Sequence, residues 1–209
     1  MVRERASNRD FPDAHIARLD AIETREATLE LFQTTAPLEV DIGCGRGRFL
    51  LARARNEPGH NFIGVDRVLL RLRKLDKRAG ASGLTNIRLI CGDAAELVRE
   101  RLPGDAVQTF FVFFPDPWPK RRHHGRRLMS RRFASDLWAA MAPDGWLHIA
   151  TDHADYFASI RSFLDADVRF RSTAPFVPAE EEETDFGLIF RGKGHPLFRC
   201  SYRKNRPEA

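Results

Sequence analysis

Apolar and polar residues alternate along the middle of the chain with two spacings, one typical of strands and the other of helices. Short apolar runs predict five strands, at residues 38–42, 61–65, 86–91, 107–114 and 146–151. Helical spacing follows each of them, at residues 48–56, 67–79, 94–101, 130–141 and 155–164. This alternation predicts an α/β fold with a mostly parallel sheet and helices on both faces, in which ligands bind at the carboxyl ends of the strands.

The two ends of the chain depart from this alternation. Apolar residues at helical spacing between Asp13 and Phe32 predict an N-terminal helix laid against the domain. Near the other end, residues 168–172 and 196–203 predict two last strands, separated by a long acidic loop around residues 180–183. With these strands the sheet has seven.

Length and composition fit one globular domain. The 209 residues can bury an ordinary core, and a chain that is 43% hydrophobic and 30% charged is not typical of disorder. We therefore expect an N-terminal helical extension over residues 1–36 and one α/β domain over residues 37–209. The net charge of +5 favours a polyanionic partner, because basic residues that neutralise phosphates release bound counterions.

Cysteine usage and hydropathy indicate where the chain works. Cys44, Cys91 and Cys200 lie far apart in the sequence, so they predict neither a disulfide framework nor a zinc site. Residues 1–9 lack the apolar core of a signal peptide, and the longest apolar run, residues 110–114, is too short to span a bilayer. These patterns favour a reducing, cytoplasmic location and no membrane partner.

Glycines follow the first predicted strand at every second position. The turn contains Gly43, Gly45 and Gly47, with Asp41 just before it. Glycine lets the backbone approach a ligand closely and adopt positive φ angles. A dinucleotide site needs its third glycine one residue later, where this chain has Arg48. The spacing is instead that of methyltransferases that bind S-adenosylmethionine, and the carboxylate of Asp41 suits that cationic cofactor.

Acidic residues also follow the second and third strands. Asp66 ends the second strand, where a carboxylate can accept hydrogen bonds from both hydroxyls of a ribose. Asp93, followed by Ala94, comes after the third strand, where an adenine amino group can be bound. Each aspartate is also a good N-cap for the helix behind it, so an ordinary capping role is the alternative.

The fourth strand ends in the sequence FPDPWPK, residues 114–120. Its three prolines fix the backbone and therefore the direction of Asp116. Basic residues follow as far as Arg132, with no acidic residue among them. A solvated charged surface is the ordinary explanation of such a run, but phosphate contacts explain it better beside a predicted ligand edge. The second helix adds basic residues near one face: Arg67, Arg71, Lys74 and Arg78.

The longer sequence FPDPWPKRRHHGRR, residues 114–127, resembles the signature of the bacterial tRNA (guanine-N7-)-methyltransferase family. Thr151-Asp152 and the Thr-x-Phe sequence at residues 184–186 are similar to further elements of that family. The resemblance runs from Asp41 to the C-terminus. It implies a Rossmann-like class I methyltransferase fold, S-adenosylmethionine as the cofactor, and methylation of N7 of guanosine 46 in the variable loop of tRNA.

Together with the patterns above, the resemblance implies a set of site residues. The cofactor contacts are expected at Asp41, Gly43, Gly45, Gly47, Asp66, Asp93, Ala94 and Asp116. The substrate contacts are expected at Lys120, Arg121, Arg122, Arg126, Arg127, Asp152, Thr184 and Phe186. Two positions depart from the family pattern: Asp41 stands where Glu is common, and Gly187 stands where the family has a Glu that suits the guanine edge. Glutamates at residues 180–183 are candidates to replace it.

The chemistry of N7 sets the role expected of Asp116. Guanine N7 has an exposed lone pair and carries no proton, so its methylation needs no general base. Alignment of the reacting atoms and exclusion of water are the remaining tasks. We expect Asp116 to act as the catalytic residue by orienting the base and stabilising the positive charge that moves onto the purine. Trp118 is open to two interpretations, stacking on the base or packing.

Other functions fit parts of this pattern. They are methylation of another RNA base or of an amino group, RNA binding by a methyltransferase fold that has lost activity, and, disfavoured by Arg48, a dehydrogenase. Gly187 keeps the second of these open. His123 and His124 lie in a basic run that repels cations, so we expect no metal. The expected partner is tRNA, and the pattern allows a monomer or a homodimer.

Overall fold

The computed structural model describes residues 15–205, so predictions for residues 1–14 and 206–209 lie outside the described part of the chain. The strands are β1 (Ile16–Arg18), β2 (Leu38–Ile42), β3 (Asn61–Asp66), β4 (Ile87–Cys91), β5 (Val107–Phe113), β6 (Met141–Thr151), β7 (Phe170–Thr173) and β8 (Phe198–Lys204). They form one sheet in the order β1-β4-β3-β2-β5-β6-β8-β7. Strand β8 pairs antiparallel with β6 and β7, and the pairs from β1 to β6 are parallel.

The helices are α1 (Arg25–Leu29), α2 (Arg48–Asn56), α3 (Leu69–Ala81), α4 (Ala94–Glu96), α5 (Arg131–Ala140), α6 (Ala154–Leu164) and α7 (Asp185–Gly192). Short 3₁₀ turns lie at Leu19–Ala21, Arg121–Arg126 and Glu180–Glu182. Helix α4 is a single turn that continues as the π-helical turn Leu97–Arg101, where the sequence predicts one regular helix. No helix within residues 15–205 has the length and apolar character that crossing a bilayer requires.

The predicted strand–helix alternation is confirmed, with element ends that differ by a few residues. Strand β5 is apolar on both faces because it lies in the middle of the sheet, between β2 and β6. Phe110 and Val112 join the core that contains residues of α5 and α6. Phe111 and Phe113 face the other way and pack on Phe49 of α2. The sheet therefore has helices on both faces, and the fold class is confirmed.

The predicted helix between Asp13 and Phe32 is wrong for the described residues of that segment, which form β1, a 3₁₀ turn and the short helix α1. Ile16, Leu19 and Ile22 are buried, as helical spacing requires. For Ile16 the cause is the pairing of β1 with β4 along the edge of the sheet, and Leu19 and Ile22 reach the core from the 3₁₀ turn and the residue after it. Backbone pairing thus overrides the local pattern, and the sheet gains an eighth strand from the segment expected to be a separate extension.

The acidic loop predicted before the last strand contains the helix α7. Thr184 begins this helix as its N-cap, with its hydroxyl accepting a hydrogen bond from the N–H of Gly187 at 2.8 Å. The glycine in the first turn and the one at its end, Gly192, lower the helical propensity of the segment. The sequence therefore favours a loop, and packing against the rest of the domain stabilises a helix.

Candidate active site

The carboxyl ends of the parallel strands meet at one edge of the sheet, and the segments at and behind them carry predicted cofactor and substrate residues. These segments are the glycine turn (residues 43–47) after β2, Asp66 at the end of β3, Asp93 after β4, the β5 loop (residues 114–120), and Asp152 after β6. Residues from five separate strands are thus brought to one edge by the sheet topology alone.

Three left-handed residues shape the glycine turn. Gly43, Gly45 and Gly47 have φ angles of +76°, +56° and +67°, a region that residues with a side chain rarely adopt. The N–H of Gly43 donates to the carbonyl of Val65 at 2.9 Å, which ties the turn to β3. A Cβ on Gly47 would lie 2.4 Å from Leu75 of α3, so glycine also permits the turn to pack closely against that helix.

Asp66 links the glycine turn to α3. Its carboxylate accepts hydrogen bonds from the backbone N–H groups of Gly45, at 3.1 Å, and Val68, at 2.8 Å. The guanidinium of Arg71 lies 3.6 Å from the same carboxylate. Val68 is the N-cap residue of α3, so Asp66 supports the start of this helix without being its cap. The bond to Gly45 holds the carboxylate beside the glycine turn, which a capping role does not explain.

Asp41 is a buried carboxylate that forms no hydrogen bond or ion pair with the rest of residues 15–205. Only 5% of the residue is exposed. Burial, and to a smaller extent the charge of Asp66, raise the pKa of Asp41 to about 7. A cation bound beside it would compensate the desolvated charge and lower this pKa. The two neighbouring carboxylates therefore fit a ligand that carries positive charge, as S-adenosylmethionine does.

Asp93 is the N-cap of α4, so the capping interpretation holds for this residue. One carboxylate oxygen accepts a hydrogen bond from the N–H of Glu96 at 2.9 Å, and the other pairs with the guanidinium of Arg67. Partial burial is the largest single influence on the pKa of Asp93 and raises it, but these hydrogen bonds together lower the pKa. Ala94 follows as the first residue of the helix. Sequence reasoning placed Arg67 on a phosphate-binding face and missed its contact with Asp93.

Strained backbone frames the β5 loop. Phe114 and Trp118 have φ angles of +53° and +40°, which are uncommon for aromatic residues and require support from the surrounding structure. Asp116 lies between them and is exposed. The pKa of Arg67 is raised, mainly by its hydrogen bond to Asp93 and in smaller part by the charge of Asp116. Asp116 follows the end of β5, which lies next to β2 in the sheet, so it is at the same edge as the glycine turn.

The basic segment (residues 120–127) turns back over this loop. Four of its side chains are exposed as predicted, namely those of Lys120, Arg121, Arg122 and Arg126. The guanidinium of Arg126 lies 5.0 Å from the ring centre of Trp118, and His123 meets the edge of the same ring at 5.9 Å. These contacts favour the packing interpretation of Trp118, because its ring supports the basic segment.

Arg127 differs from the other basic residues of the segment because it is buried. Its Nε donates to the carbonyl of Pro117 at 2.8 Å, and its Nη2 pairs with Asp155 of α6 at 2.8 Å. The guanidinium also lies 4.6 Å from the ring centre of Tyr156. This placement does not fit the phosphate contact expected of Arg127, since the folded chain already surrounds the charged group. Arg127 instead ties the β5 loop to α6.

The Thr184–Phe186 segment reaches the β5 loop through aromatic contacts. Phe186 is exposed, and its ring centre lies 6.0 Å from that of Phe114 and 5.9 Å from that of Phe190. Phe114 and Phe190 are also in contact, with ring centres 5.6 Å apart. The structure thus brings the expected substrate segment of α7 beside the loop that carries Asp116.

Glu183 occupies the space beside Gly187. A Cβ on Gly187 would lie 2.2 Å from Oε1 of Glu183. The carboxylate of Glu183 is fully buried and accepts hydrogen bonds from Arg191 and Arg199, each at 2.7 Å. Arg48, the first residue of α2, donates to the backbone carbonyl of Glu183 at 3.0 Å. Position 187 is therefore glycine because a buried ion-pair cluster fills the place of its side chain.

The glutamates expected to replace the missing carboxylate at position 187 are not equivalent. Glu182 is buried and accepts a hydrogen bond from Asn56 at 2.9 Å, and Glu183 is engaged as described above. Neither carboxylate is free to meet a guanine, whereas Glu180 and Glu181 are exposed. Sequence reasoning missed the inward role of Glu183. No local signal in the sequence indicates that role, because Glu183 precedes the N-cap of α7 and its partners Arg191 and Arg199 lie further along the chain.

Metal-ligating side chains do not cluster in the part of the chain that the structure describes. No group of three or more His, Cys, Asp or Glu residues within residues 15–205 is arranged to hold a metal ion. Cys44 and Cys200 are buried free thiols, and Cys91 is a half-buried one.

His148 is a buried side chain on β6. Its Nδ1 lies 2.8 Å from the hydroxyl oxygen of Ser201, and burial lowers the pKa of the imidazole to about 4.

Comparison with known proteins decides the family. Residues 35–196 match the model of a family described as "Putative methyltransferase". A tRNA (guanine-N(7)-)-methyltransferase of Halorhodospira halophila is 37% identical over 199 residues, which cover 93% of this chain and 82% of the relative. The chain belongs to the tRNA (guanine-N7-)-methyltransferase family.

Solved structures of other methyltransferases share the fold of this tRNA (guanine-N7-)-methyltransferase family member. The 16S rRNA methyltransferase KamB superposes with a TM-score of 0.65 at 14% identity, covering 88% of this chain and 94% of KamB. A mutant 16S rRNA (adenine(1408)-N(1))-methyltransferase from Catenulisporales acidiphilia, with its cosubstrate SAM, has a TM-score of 0.57 at 17% identity and coverages of 83% and 88%. The class I methyltransferase fold implied by the resemblance is confirmed.

Proposed function

We propose that this chain transfers a methyl group from S-adenosylmethionine to N7 of a guanosine in tRNA, at position 46 of the variable loop. The observation that carries the proposal is the meeting, at one sheet edge, of the unpaired buried carboxylate of Asp41 and the basic segment behind the β5 loop. Family membership supports the same reaction, because the relative compared above is named tRNA (guanine-N(7)-)-methyltransferase.

Each of the cofactor residues contacts a different part of S-adenosylmethionine. Asp41 binds the positively charged amino-acid part, and the glycine turn allows the backbone to approach it. Asp66, oriented by the N–H groups of Gly45 and Val68, keeps lone pairs for the ribose hydroxyls. Asp93 and Ala94 border the adenine. Bound in this way, S-adenosylmethionine supplies an electrophilic methyl group on a positively charged sulfur.

The residues around the β5 loop prepare the base. Because N7 carries no proton, no side chain has to remove one, and the work of the protein is alignment and electrostatic stabilisation. Asp116 orients the guanine and stabilises the positive charge that develops on it. The left-handed backbone at Phe114 and Trp118 and the buried Arg127 keep the loop in place. Thr184, Phe186 and Asp152 complete the wall around the base.

The exposed basic residues hold the RNA backbone. Lys120, Arg121, Arg122 and Arg126 provide four charges within one 3₁₀ turn and its start, all facing solvent. Such contacts position a polyanion without selecting its sequence. Selection of the target base then depends on the β5 loop. The base has to leave its stack in the RNA so that its N7 can line up with the methyl group.

Labelled S-adenosylmethionine and an unmodified tRNA transcript test the proposal directly. After incubation with the purified chain, the RNA is digested and the methylated nucleoside is identified by mass spectrometry. We expect 7-methylguanosine, and none when the transcript carries adenosine at position 46. A label on another base would favour another RNA methyltransferase, and cofactor binding without methylation would favour an inactive RNA-binding fold.

The cellular setting belongs to the same proposal. We place the chain in the cytoplasm, where unmodified tRNA is available, and as a monomer or a homodimer. Light scattering of the chain with and without tRNA decides between the two states. An assembly larger than a dimer would contradict this part of the proposal.

A further inference from the structure

The exposed side of α3 carries basic residues over about two turns. Arg71, Lys74, Lys77 and Arg78 are all exposed. The helix contains one acidic residue, Asp76, and this side chain is buried and bonded to Nδ1 of His15 at 2.6 Å. The helix therefore presents positive charge to solvent without an acidic residue of its own to neutralise it.

A cleft between α2 and α3 continues this surface. Its volume is about 290 Å³, and its polar lining includes Arg48, Arg55, Arg78 and Ser82, with Glu181 as the one acidic side chain. Each of these arginines is held by a neutral oxygen: Arg48 by the carbonyl of Glu183, Arg55 by the Ser82 hydroxyl at 3.3 Å, and Arg78 by the carbonyl of Arg46 at 2.7 Å. These hydrogen bonds orient the guanidinium groups, and because the acceptors are uncharged they do not neutralise the positive charge.

The location of this surface is as informative as its charge. Helix α3 starts immediately behind Asp66, at the cofactor edge, and a rise of about 1.5 Å per residue places Arg78 about 10 Å further along than Arg71. Arg48 begins α2 directly behind the glycine turn. The surface therefore extends away from the methyl-transfer edge on the α2–α3 side, whereas the basic segment follows the β5 loop.

We propose that the exposed side of α3 and the adjoining α2–α3 cleft form a second binding surface for the phosphate backbone of tRNA, away from the methylated base. This inference rests on the proposed function, since it takes the same RNA as the ligand. A structured tRNA is large enough to contact both the β5 side and the α3 side of the edge, and several separate phosphate contacts fix its orientation.

The test uses charge reversal at residues without structural partners. Lys74→Glu/Lys77→Glu changes two exposed residues that form no ion pair with the rest of residues 15–205. The matched control is Arg171→Glu/Lys193→Glu, which changes the net charge equally at two exposed residues on other parts of the surface. Steady-state kinetics, tRNA binding at several salt concentrations and calorimetry with S-adenosylmethionine are measured for both variants and for the original chain.

We expect the α3 variant to raise the KM for tRNA by about tenfold or more while kcat and cofactor affinity stay within about twofold. The salt dependence of tRNA binding should weaken by a slope of about 1.4 to 1.8, as loss of two phosphate contacts predicts. A short RNA hairpin with the target guanosine alone should bind the original chain and the variant equally.

The inference is overturned if the α3 variant behaves like the control with tRNA, or if the hairpin loses as much affinity as tRNA does. Failure of the proposed function gives a different result. In that case the original chain makes no 7-methylguanosine, and the comparison of tRNA binding between the two variants still decides whether α3 contacts RNA.

Discussion

The two halves of the active edge use charge in opposite ways. On the side of β2 to β4, acidic groups are buried or half-buried, and Asp66 and Asp93 are held by backbone N–H groups. On the side of β5, the lysine and arginine side chains of residues 120–126 are exposed to solvent next to the β5 loop. A small cation needs one desolvated carboxylate in a fixed place, because a buried charge interacts strongly. A long polyanion is held by many solvated cations, each of which contributes little.

This difference teaches that the two ligands should respond differently to salt and to single substitutions. Exposed charges are screened at physiological ionic strength, whereas buried ones are screened much less. Asp116 lies where the halves meet, exposed like the basic residues, and its charge acts on Arg67, the partner of Asp93. Substitutions along the edge should therefore separate cofactor binding, RNA binding and turnover.

Asp116→Ala should have the largest effect, because it removes the one residue placed to serve both halves. We expect turnover to fall about 100-fold or more, by analogy with loss of one preorganised electrostatic group. Affinity for S-adenosylmethionine should stay within about tenfold. Single-turnover methylation of tRNA and calorimetry measure the two quantities. Asp116→Asn, which keeps the shape but not the charge, is the matched variant, and full activity in Asp116→Ala would remove this residue from the mechanism.

Asp41→Asn should weaken S-adenosylmethionine binding by about 30-fold and leave tRNA binding unchanged. Because the pKa of Asp41 is about 7 when folded and ordinarily 3.8, the folded state binds more protons and the free energy of unfolding falls between about pH 4 and pH 7. A cationic ligand favours the ionised form, so its affinity should rise with pH up to about 7. Calorimetry in buffers of different ionisation enthalpy should detect proton release at pH 6 in the original chain. Equal proton release in Asp41→Asn would contradict this assignment.

Arg121→Gln/Arg122→Gln/Arg126→Gln should weaken tRNA binding by about tenfold in moderate salt and reduce the salt dependence. Cofactor affinity should not change, because these side chains are exposed and lie on the other half of the edge. Arg127→Gln is the contrasting variant: it should lower the melting temperature through loss of the contacts to Pro117 and Asp155. A salt slope that moves only in Arg127→Gln would reverse the roles given to these arginines.

Gly187→Ala should have the smallest effect on catalysis and act mainly on stability. The new methyl group displaces the carboxylate of Glu183 from Arg191 and Arg199, and overpacking of this kind costs about 1–3 kcal/mol, offset in part by the better helix propensity of alanine. Chemical denaturation measures the change. Gly192→Ala, at a position with open space, is the control and should not destabilise the chain. Equal stability of the two variants would show that Glu183 moves without cost.

Much of the cofactor half could be predicted because its residues are adjacent in sequence to strand ends. Glycine spacing, an apolar run and an aspartate behind it are local signals, and parallel pairing then brings Asp41, Asp66 and Asp93 to one edge. The signature around Asp116 is equally local. For Asp93 the sequence allows two roles, and only the geometry shows that it caps α4 and also pairs with Arg67.

The remaining features depend on contacts between distant segments, which local patterns do not contain. Arg127 looks like its neighbours in sequence, but its burial depends on Asp155 and Tyr156 of another helix. Glu183 looks like a solvated acid until Arg191 and Arg199 are placed around it. Residues 16–18 belong to a stretch with helical spacing in the sequence, and pairing with β4 decides their conformation.

Strand β1 has a consequence for how this protein can be shortened. Its three residues cover the outer edge of β4, whose N–H and carbonyl groups would otherwise face solvent as a ready template for another chain. A shortened protein that starts at β2 would retain every residue assigned to the reaction, but it would lose β1 and leave the edge of β4 exposed. Two copies of the shortened protein would then tend to pair through their exposed β4 edges. The three residues of β1, which take no part in the reaction, therefore protect the protein against aggregation.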